Sequence, residues 1–385
     1  MSTTRRDFIQ AAGAAAVFST APTATADAGL ADSISEEATT VRMVGDDIGL
    51  SPRAYAALLA ELCAQADVSS DTYLLGGAVE SLERRFADIL GKEMAVFMPS
   101  GTLANQLALR ALAGPRRRVI VPERSHVYND TGDACQTLAN LNLLPLAQGS
   151  STYTLEDVQS VLEQTASGRV ATGVGALLIE SPVRRMYGEC FDWGEAQRIL
   201  AFARDRGIGT HLDGARLFIA SAYTGITPAE YAAPFDSVYV SLWKCFNSGI
   251  GAILAGPRAL LEDMHHTRRM YGGNLFHGWA PALVSGHYLD AYVERMAAAV
   301  AVSEEFFAAI SQRHDVDIER IPNGTNVARI HFSGADTSEI RDRLATQGVL
   351  VRDPNDRGVM TVSVNESWNR KSAAELLAAF EDALT

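Results

Sequence analysis

Lysine is nearly absent from this chain. Of its 33 basic residues only Lys92, Lys244 and Lys371 are lysines, so any amine chemistry falls to one of three positions. Cysteine is scarce as well: Cys63, Cys135, Cys190 and Cys245 lie far apart and form no Cys-x-x-Cys pair. That spacing argues against a zinc site, and no metal is expected; the four read as buried apolar thiols. Basic charge is in deficit, with a formal net charge of -13, which argues against a nucleic-acid partner. The run Arg116-Arg117-Arg118 follows Gly114-Pro115 and reads as a solvated turn ahead of a strand. No long apolar run occurs after Ala26, so no membrane association is expected once the first residues are removed.

Those first residues carry three signals in order. Thr4-Arg5-Arg6-Asp7-Phe8-Ile9 is a twin-arginine signature, Ala11 to Phe18 is a short apolar run, and Ala24-Thr25-Ala26 offers small residues for cleavage. Together they read as a removable export signal over residues 1–26, with a periplasmic or secreted destination. A route that carries folded cargo suits an enzyme loaded with a cytosolic cofactor. It permits disulfides without requiring them.

The remaining length suits two or three domains. Short apolar, β-branched runs alternate with helical patterns between Met94 and Leu254. Strands are expected at Met94–Met98, Val119–Val121, Leu143–Leu146, Gly175–Ile179, Gly209–Leu212, Ser237–Ser241 and Gly251–Leu254. Helices are expected at Ser51–Asp67, Val79–Gly91, Leu103–Leu112 and Asp192–Arg206. This alternation predicts an α/β fold with a mostly parallel seven-stranded sheet between helices. After Pro257 long helical stretches (Leu260–Met270, Ala280–Gln312) give way to strands at Val327–Phe332, Val349–Arg352 and Val359–Val364, then a helix at Lys371–Leu384. The expected division is an N-terminal arm and helix (27–60), a cofactor-binding large domain (61–256) and a smaller C-terminal α+β domain (257–385).

Four segments can carry chemistry. Lys244 ends the strand that runs Ser237–Trp243, at the carboxyl edge where α/β sheets bind ligands; desolvation there makes an amine nucleophilic. Read alone, it could equally be a strand-end lysine reaching into solvent. Lys92 sits at a helix C-terminus, favoured by the helix dipole, and Lys371 opens the last helix in solvent. Asp213, in His211-Leu-Asp-Gly-Ala-Arg216, ends another strand about thirty residues earlier. A carboxylate there can hold a protonated pyridine nitrogen and make its ring an electron sink, or can cap a helix. Ser100-Gly101-Thr102 between a strand and a helix can cradle phosphate, or serve as a plain N-cap. His126 could lie flat on a ring, or be a structural loop residue.

In this order and spacing the four segments resemble the type I pyridoxal-phosphate fold, and more narrowly the threonine aldolase and β-eliminating lyase family, from about Met43 to the C-terminus. The likeness is strongest at residues 99–102, 213–216 and 241–244. It implies pyridoxal 5'-phosphate as cofactor, with Ser100, Gly101 and Thr102 on its phosphate, His126 stacked on its ring, Asp213 at its pyridine nitrogen, Arg216 near its phenolic oxygen and Lys244 as the Schiff-base lysine. Glu180 would support the site. The resemblance also implies a homodimer or homotetramer with sites at the subunit interface, reached by Tyr271-Gly272-Gly273. Departures fall on the substrate side. Glu189 and Met360 stand where arginines usually grip a carboxylate, with Arg184, Arg185, Arg352 and Arg357 nearby. Val44-Gly45-Asp46-Asp47 replaces an Arg-Ser-Asp-Thr turn, Leu74-Leu75-Gly76-Gly77 replaces an acidic segment, and Phe276 replaces a common arginine. The leading expectation is a carbon–carbon lyase cleaving a β-hydroxy-α-amino acid to glycine and an aldehyde, with Lys244, Asp213 and His126 catalytic. The alternatives are β-elimination, transamination or decarboxylation of another amino acid or amine, and a non-catalytic exported binding protein on the same fold.

Overall fold

Short apolar strands can be buried on both faces only if helices cover both, and that requirement organises the centre of the molecule. The computed structural model describes residues 38–334, 337 and 339–385. The signal-like segment 1–26 and residues 27–37 of the arm after it lie outside them. In chain order the strands are β1 (Val41–Arg42), β2 (Met94–Met98), β3 (Arg118–Pro122), β4 (Asn142–Leu146), β5 (Val174–Glu180), β6 (Gly209–Asp213), β7 (Ser237–Ser241), β8 (Ala252–Gly256), β9 (Val316–Arg320), β10 (Val327–Phe332), β11 (Val349–Leu350) and β12 (Val359–Ser363).

The central sheet has seven strands in the order β2-β8-β7-β6-β5-β3-β4. It is parallel from β7 through β6, β5 and β3 to β4, while β8 runs antiparallel to both β2 and β7. Six strands therefore share one direction, and their carboxyl ends share one edge. Every residue of β5 is buried, as a strand covered on both faces requires. Helices Gly101–Ala113 and Trp193–Asp205 form where the apolar period changes, each started by a side-chain cap, Ser100 on the Leu103 N–H and Asp192 on the Glu195 N–H.

Past Gly256 the long helical stretches are interrupted. Residues expected as one helix over 260–270 form Arg258–Leu261 and Met264–Met270. Those expected over 280–312 form Trp279–Leu289 and Tyr292–Ile310. The second break sits at Ala291, whose φ of 51° is left-handed. Arg295 holds it open from one turn ahead. Its guanidinium donates to the carbonyls of Tyr288 (2.7 Å) and Asp290 and to the Glu366 carboxylate (2.5 Å).

A three-stranded antiparallel sheet, β12-β10-β9, follows, and β1 pairs in parallel with β11. Phe306 packs on Trp368 (centroids 5.7 Å apart) and Phe380 (5.1 Å), tying the long helix to the last one, Ala373–Ala383. A second aromatic cluster lies behind the turn that carries Lys244. Phe246 meets Phe218 at 5.0 Å, Tyr292 at 5.2 Å and Phe86 at 5.4 Å, all edge-on. No helix among the described residues is long and apolar enough to cross a membrane.

Candidate active site

The shared carboxyl edge gathers the sequence candidates. Reading across the sheet, β2 leads to Ser100, Gly101 and Thr102, β7 to Lys244, β6 ends at Asp213, β5 at Glu180, and β3 leads to His126. This is the crevice where open α/β sheets bind ligands.

Lys244 lies in a helical turn, Leu242–Cys245, directly after β7 and not in the strand itself. It is 7% exposed. Burial, and then the Arg216 guanidinium, push its amine down to about 8, against the pull of Asp213, Asp46 and Glu180. A large share of the amine is therefore neutral near pH 8 and can attack a carbonyl. Lys92 is not a free cation at a helix end: it is part-buried and its Nζ donates to the Phe235 carbonyl at 2.6 Å. Lys371 is half-buried and precedes Ser372, the residue that caps the last helix.

Asp213 is 2% exposed. Its Oδ2 accepts the Asn105 amide at 2.7 Å and its Oδ1 the Ala215 N–H at 3.2 Å. The next helix begins at Leu217, with Arg216 at its cap position, so Asp213 is not that helix's N-cap. Arg216 is held by Asp46: its Nε and a terminal nitrogen both reach Oδ2, at 2.9 and 2.8 Å. The other Asp46 oxygen accepts from Asn326 at 3.2 Å. Burial disfavours the Asp46 carboxylate, but Arg216, joined by Lys244 and Asn326, outweighs burial and holds its carboxyl below the usual range. The turn that departs from the family pattern in sequence thus places a carboxylate in the site.

Ser100 does cap its helix, through Leu103 N–H at 3.3 Å. The cap leaves the N–H groups of Gly101 and Thr102 pointing out of the helix N-terminus. Gly101 has no room for a side chain: a Cβ would lie 2.1 Å from the Tyr239 hydroxyl. His126 opens a short helix, His126–Asn129. Its N–H donates to Glu180 Oε2 at 2.6 Å, while Arg184 N–H donates to Oε1 at 3.0 Å. One buried carboxylate therefore fixes two loops, and burial with the nearby Asp213 pushes its pKa up. Burial lowers the His126 pKa; Asp213 opposes the shift and Lys244 adds to it, so imidazole and amine share the site.

The substrate-side positions do not supply cations. Glu189 accepts the Ser151 hydroxyl at 2.8 Å, and Met360 is fully buried in the core. Arg185 is committed to Asp130 by two bonds, at 3.2 and 2.6 Å, whereas Arg184 is 58% exposed and only 3.7 Å from the same carboxylate. Arg352 and Arg357 are exposed. Cys135, Cys190 and Cys245 are buried thiols as expected; Cys63 is exposed, against expectation, on the outer side of helix Pro52–Gln65. Among the described residues no cluster of three His, Cys, Asp or Glu side chains is placed to hold a metal.

Sequence reasoning missed Asn105, Tyr239 and Ser241. Ser241, three residues before Lys244, is fully buried and its hydroxyl has no hydrogen-bond partner. An orphaned buried hydroxyl, a helix N-terminus, a carboxylate, a guanidinium and a depressed amine on one edge fit pyridoxal phosphate. The group needs an anion cradle, a partner for a protonated ring nitrogen and a nucleophilic lysine.

A low-specificity L-threonine aldolase of Candida albicans is 31% identical over 212 residues, 54% of this chain and 56% of that protein. The chain spans about half the length of the curated relatives it matches. Solved structures align more fully. A protein of Exiguobacterium sp. described as an aromatic amino acid beta-eliminating lyase/threonine aldolase superposes with a TM-score of 0.74 at 28% identity, covering 91% of this chain and 98% of that one. A protein of Listeria monocytogenes described as an L-allo-threonine aldolase gives 0.72 at 28% identity, covering 92% and 99%. The family model for beta-eliminating lyases matches residues 53–346, well over half of the chain, and the chain belongs to the beta-eliminating lyase family.

Proposed function

We propose that the protein is a pyridoxal-phosphate-dependent carbon–carbon lyase, like a threonine aldolase, cleaving a β-hydroxy-α-amino acid to glycine and an aldehyde. The observation that carries the reading is the convergence of Lys244, Asp213, Arg216 and His126 on the carboxyl edge beside the 100–102 turn. When bound, pyridoxal phosphate supplies the electron sink for the pair released as Cα–Cβ breaks.

The chain's residues divide the rest of the work. Ser100, Gly101, Thr102 and the Ser241 hydroxyl would hold the phosphate. Asp213 would hold the ring nitrogen in its protonated form, and Arg216, oriented by Asp46, would hold the phenolic oxygen. Lys244 would hold the cofactor through Nζ. His126, neutral above its lowered pKa, would take the proton from the substrate's β-hydroxyl at a ring nitrogen. Glu180 aims it by fixing the His126 backbone. Arg184, loosely paired and exposed, is the arginine placed to turn toward a substrate carboxylate. With Glu189 and Met360 adding no cation, threonine is held weakly and bulkier β-hydroxy amino acids are preferred.

The test is product analysis of threonine, allo-threonine and phenylserine, beside Arg184→Ala. Glycine with acetaldehyde or benzaldehyde, and a raised KM in Arg184→Ala, support the reading. Ammonia with a keto acid would mean β-elimination on the same cofactor. The proposal extends to place and assembly. The segment 4–26 supports export by a twin-arginine route. Exposed Tyr73, Leu75 and Phe276 support a homodimer or homotetramer with shared sites.

A further inference from the structure

Behind Asp213 lies a line of polar side chains that the proposed reaction does not use. Asn105 (1% exposed), His211 and Ser237 (both fully buried) are linked end to end. Asn105 Nδ2 meets Asp213 Oδ2 at 2.7 Å, Asn105 Oδ1 meets His211 Nε2 at 2.8 Å, and His211 Nδ1 meets Ser237 Oγ at 2.8 Å. The fold makes the line inevitable. His211 and Asp213 are two apart on β6 and share a face, Ser237 is the β7 residue in register with His211, and Asn105 lies one turn into the helix that begins at Gly101.

Each atom's role follows from its neighbour. A carboxylate only accepts, so the Asn105 amide nitrogen must face Asp213 and its oxygen must face His211. His211 must then donate from Nε2. Burial pushes its pKa down to about 4, so the ring is neutral and carries that one proton; Nδ1 accepts from the Ser237 hydroxyl. Turning the amide over sets two acceptors against each other at Asp213, and the other imidazole tautomer does the same at Asn105. One arrangement satisfies every buried atom in the line.

We propose that Asn105, His211 and Ser237 form a hydrogen-bond chain of fixed polarity that positions the Asp213 carboxylate against the cofactor's ring nitrogen. The inference rests on the reading of Asp213 as the partner of that nitrogen. The chain also joins three parts of the site: the helix whose N-terminus cradles phosphate, the strand ending in Asp213, and the strand leading to Lys244. Its members are positioning residues, acting through Asp213.

The test loads the enzyme with pyridoxal phosphate labelled with ¹⁵N in the ring and reads that nitrogen's NMR shift, with kcat and KM beside it. The variants are Asp213→Asn, His211→Phe, His211→Gln and Asn105→Ala. Asp213→Asn moves the resonance toward the neutral pyridine value. His211→Phe and Asn105→Ala move it the same way by less, and lower kcat about three- to tenfold, the ratio one hydrogen bond is worth, with KM little changed. His211→Gln, whose amide can donate to Asn105, restores both shift and kcat. If Asp213→Asn moves the resonance while His211→Phe and Asn105→Ala leave it in place, the chain is structural only and the proposal fails, with Asp213 keeping its role. A resonance unmoved by Asp213→Asn overturns the reading of Asp213 itself. His211→Gln as impaired as His211→Phe, in a protein of normal melting temperature, assigns the effect to packing and also overturns the proposal. Should His211→Phe not fold, Asn105→Ala decides alone.

Discussion

At the scale of single residues, burial selects the reactive lysine from the three available. Its amine is lowered from the ordinary value to about 8, so deprotonation, and with it nucleophilicity, is gained as pH rises through that point. The rate at which cofactor-free protein captures pyridoxal phosphate should climb between pH 7 and 9 and level off above. Stopped-flow absorbance measures it, and a midpoint near the ordinary lysine value of ~10.4 would refute the argument. Borohydride reduction should then fix the label on Lys244, and label on Lys92 or Lys371 would overturn the assignment. Asp46 was not legible as a site residue because its partner Arg216 is 170 positions away, and no local pattern announces a pair made by tertiary packing. Lys244 and Asp213 were legible, since each directly follows or ends an apolar strand. Asp46→Asn leaves the Arg216 guanidinium buried without its counter-charge, at a cost of about 3 kcal/mol of stability. The Asp46 carboxyl is depressed in the folded state. Its contribution is therefore complete above the unfolded value of ~3.9 and is lost as pH falls through the folded one. Urea unfolding should show the wild-type advantage at pH 7 and its shrinkage near pH 3; an equal gap at both would contradict the pairing.

Among the elements, the central strands were readable to within one or two residues because continuous apolar runs have only one place to go in a covered sheet. The edges of the fold were not. β9, Val-Asp-Ile-Glu-Arg, buries little and carries no strand signal, and β1 is a two-residue strand that exists only because it pairs with β11, the start of the strand expected at Val349–Arg352. The break at Ala291 was invisible for a different reason. Leu289-Asp290-Ala291-Tyr292 contains neither glycine nor proline, and the interruption is imposed by Arg295 reaching back to two carbonyls. Arg295→Ala should therefore destabilise by roughly 2–4 kcal/mol, since it frees two carbonyls and strands Glu366, whose carboxylate is 9% exposed. Arg295→Lys, with one charged head and no fork, should recover only part of it. Denaturant midpoints measure both, and an Arg295→Ala midpoint equal to wild type would mean the backbone breaks there unaided.

For the whole molecule, an acidic balance of -13 favours solubility over adhesion to nucleic acid or anionic membranes. If export is read from the arginine pair, Arg5→Lys with Arg6→Lys should leave precursor in the cytoplasm. Fractionation with an immunoblot decides it, and unchanged export would remove the proposal. The stitching of the chain's two ends has a consequence for timing. Asn365 holds the carbonyls of Arg42 and Gly45, and Asn326 holds Asp46. On a ribosome the central sheet, with Lys244 and Asp213, has emerged while roughly the last third of the chain is still unmade. Asp46 can meet Arg216 as soon as the central sheet folds, but the Asn326 and Asn365 contacts form only after that last third appears. The newborn site therefore passes through a stage in which the reactive lysine already exists and the turn that carries Asp46 is fastened on one side alone.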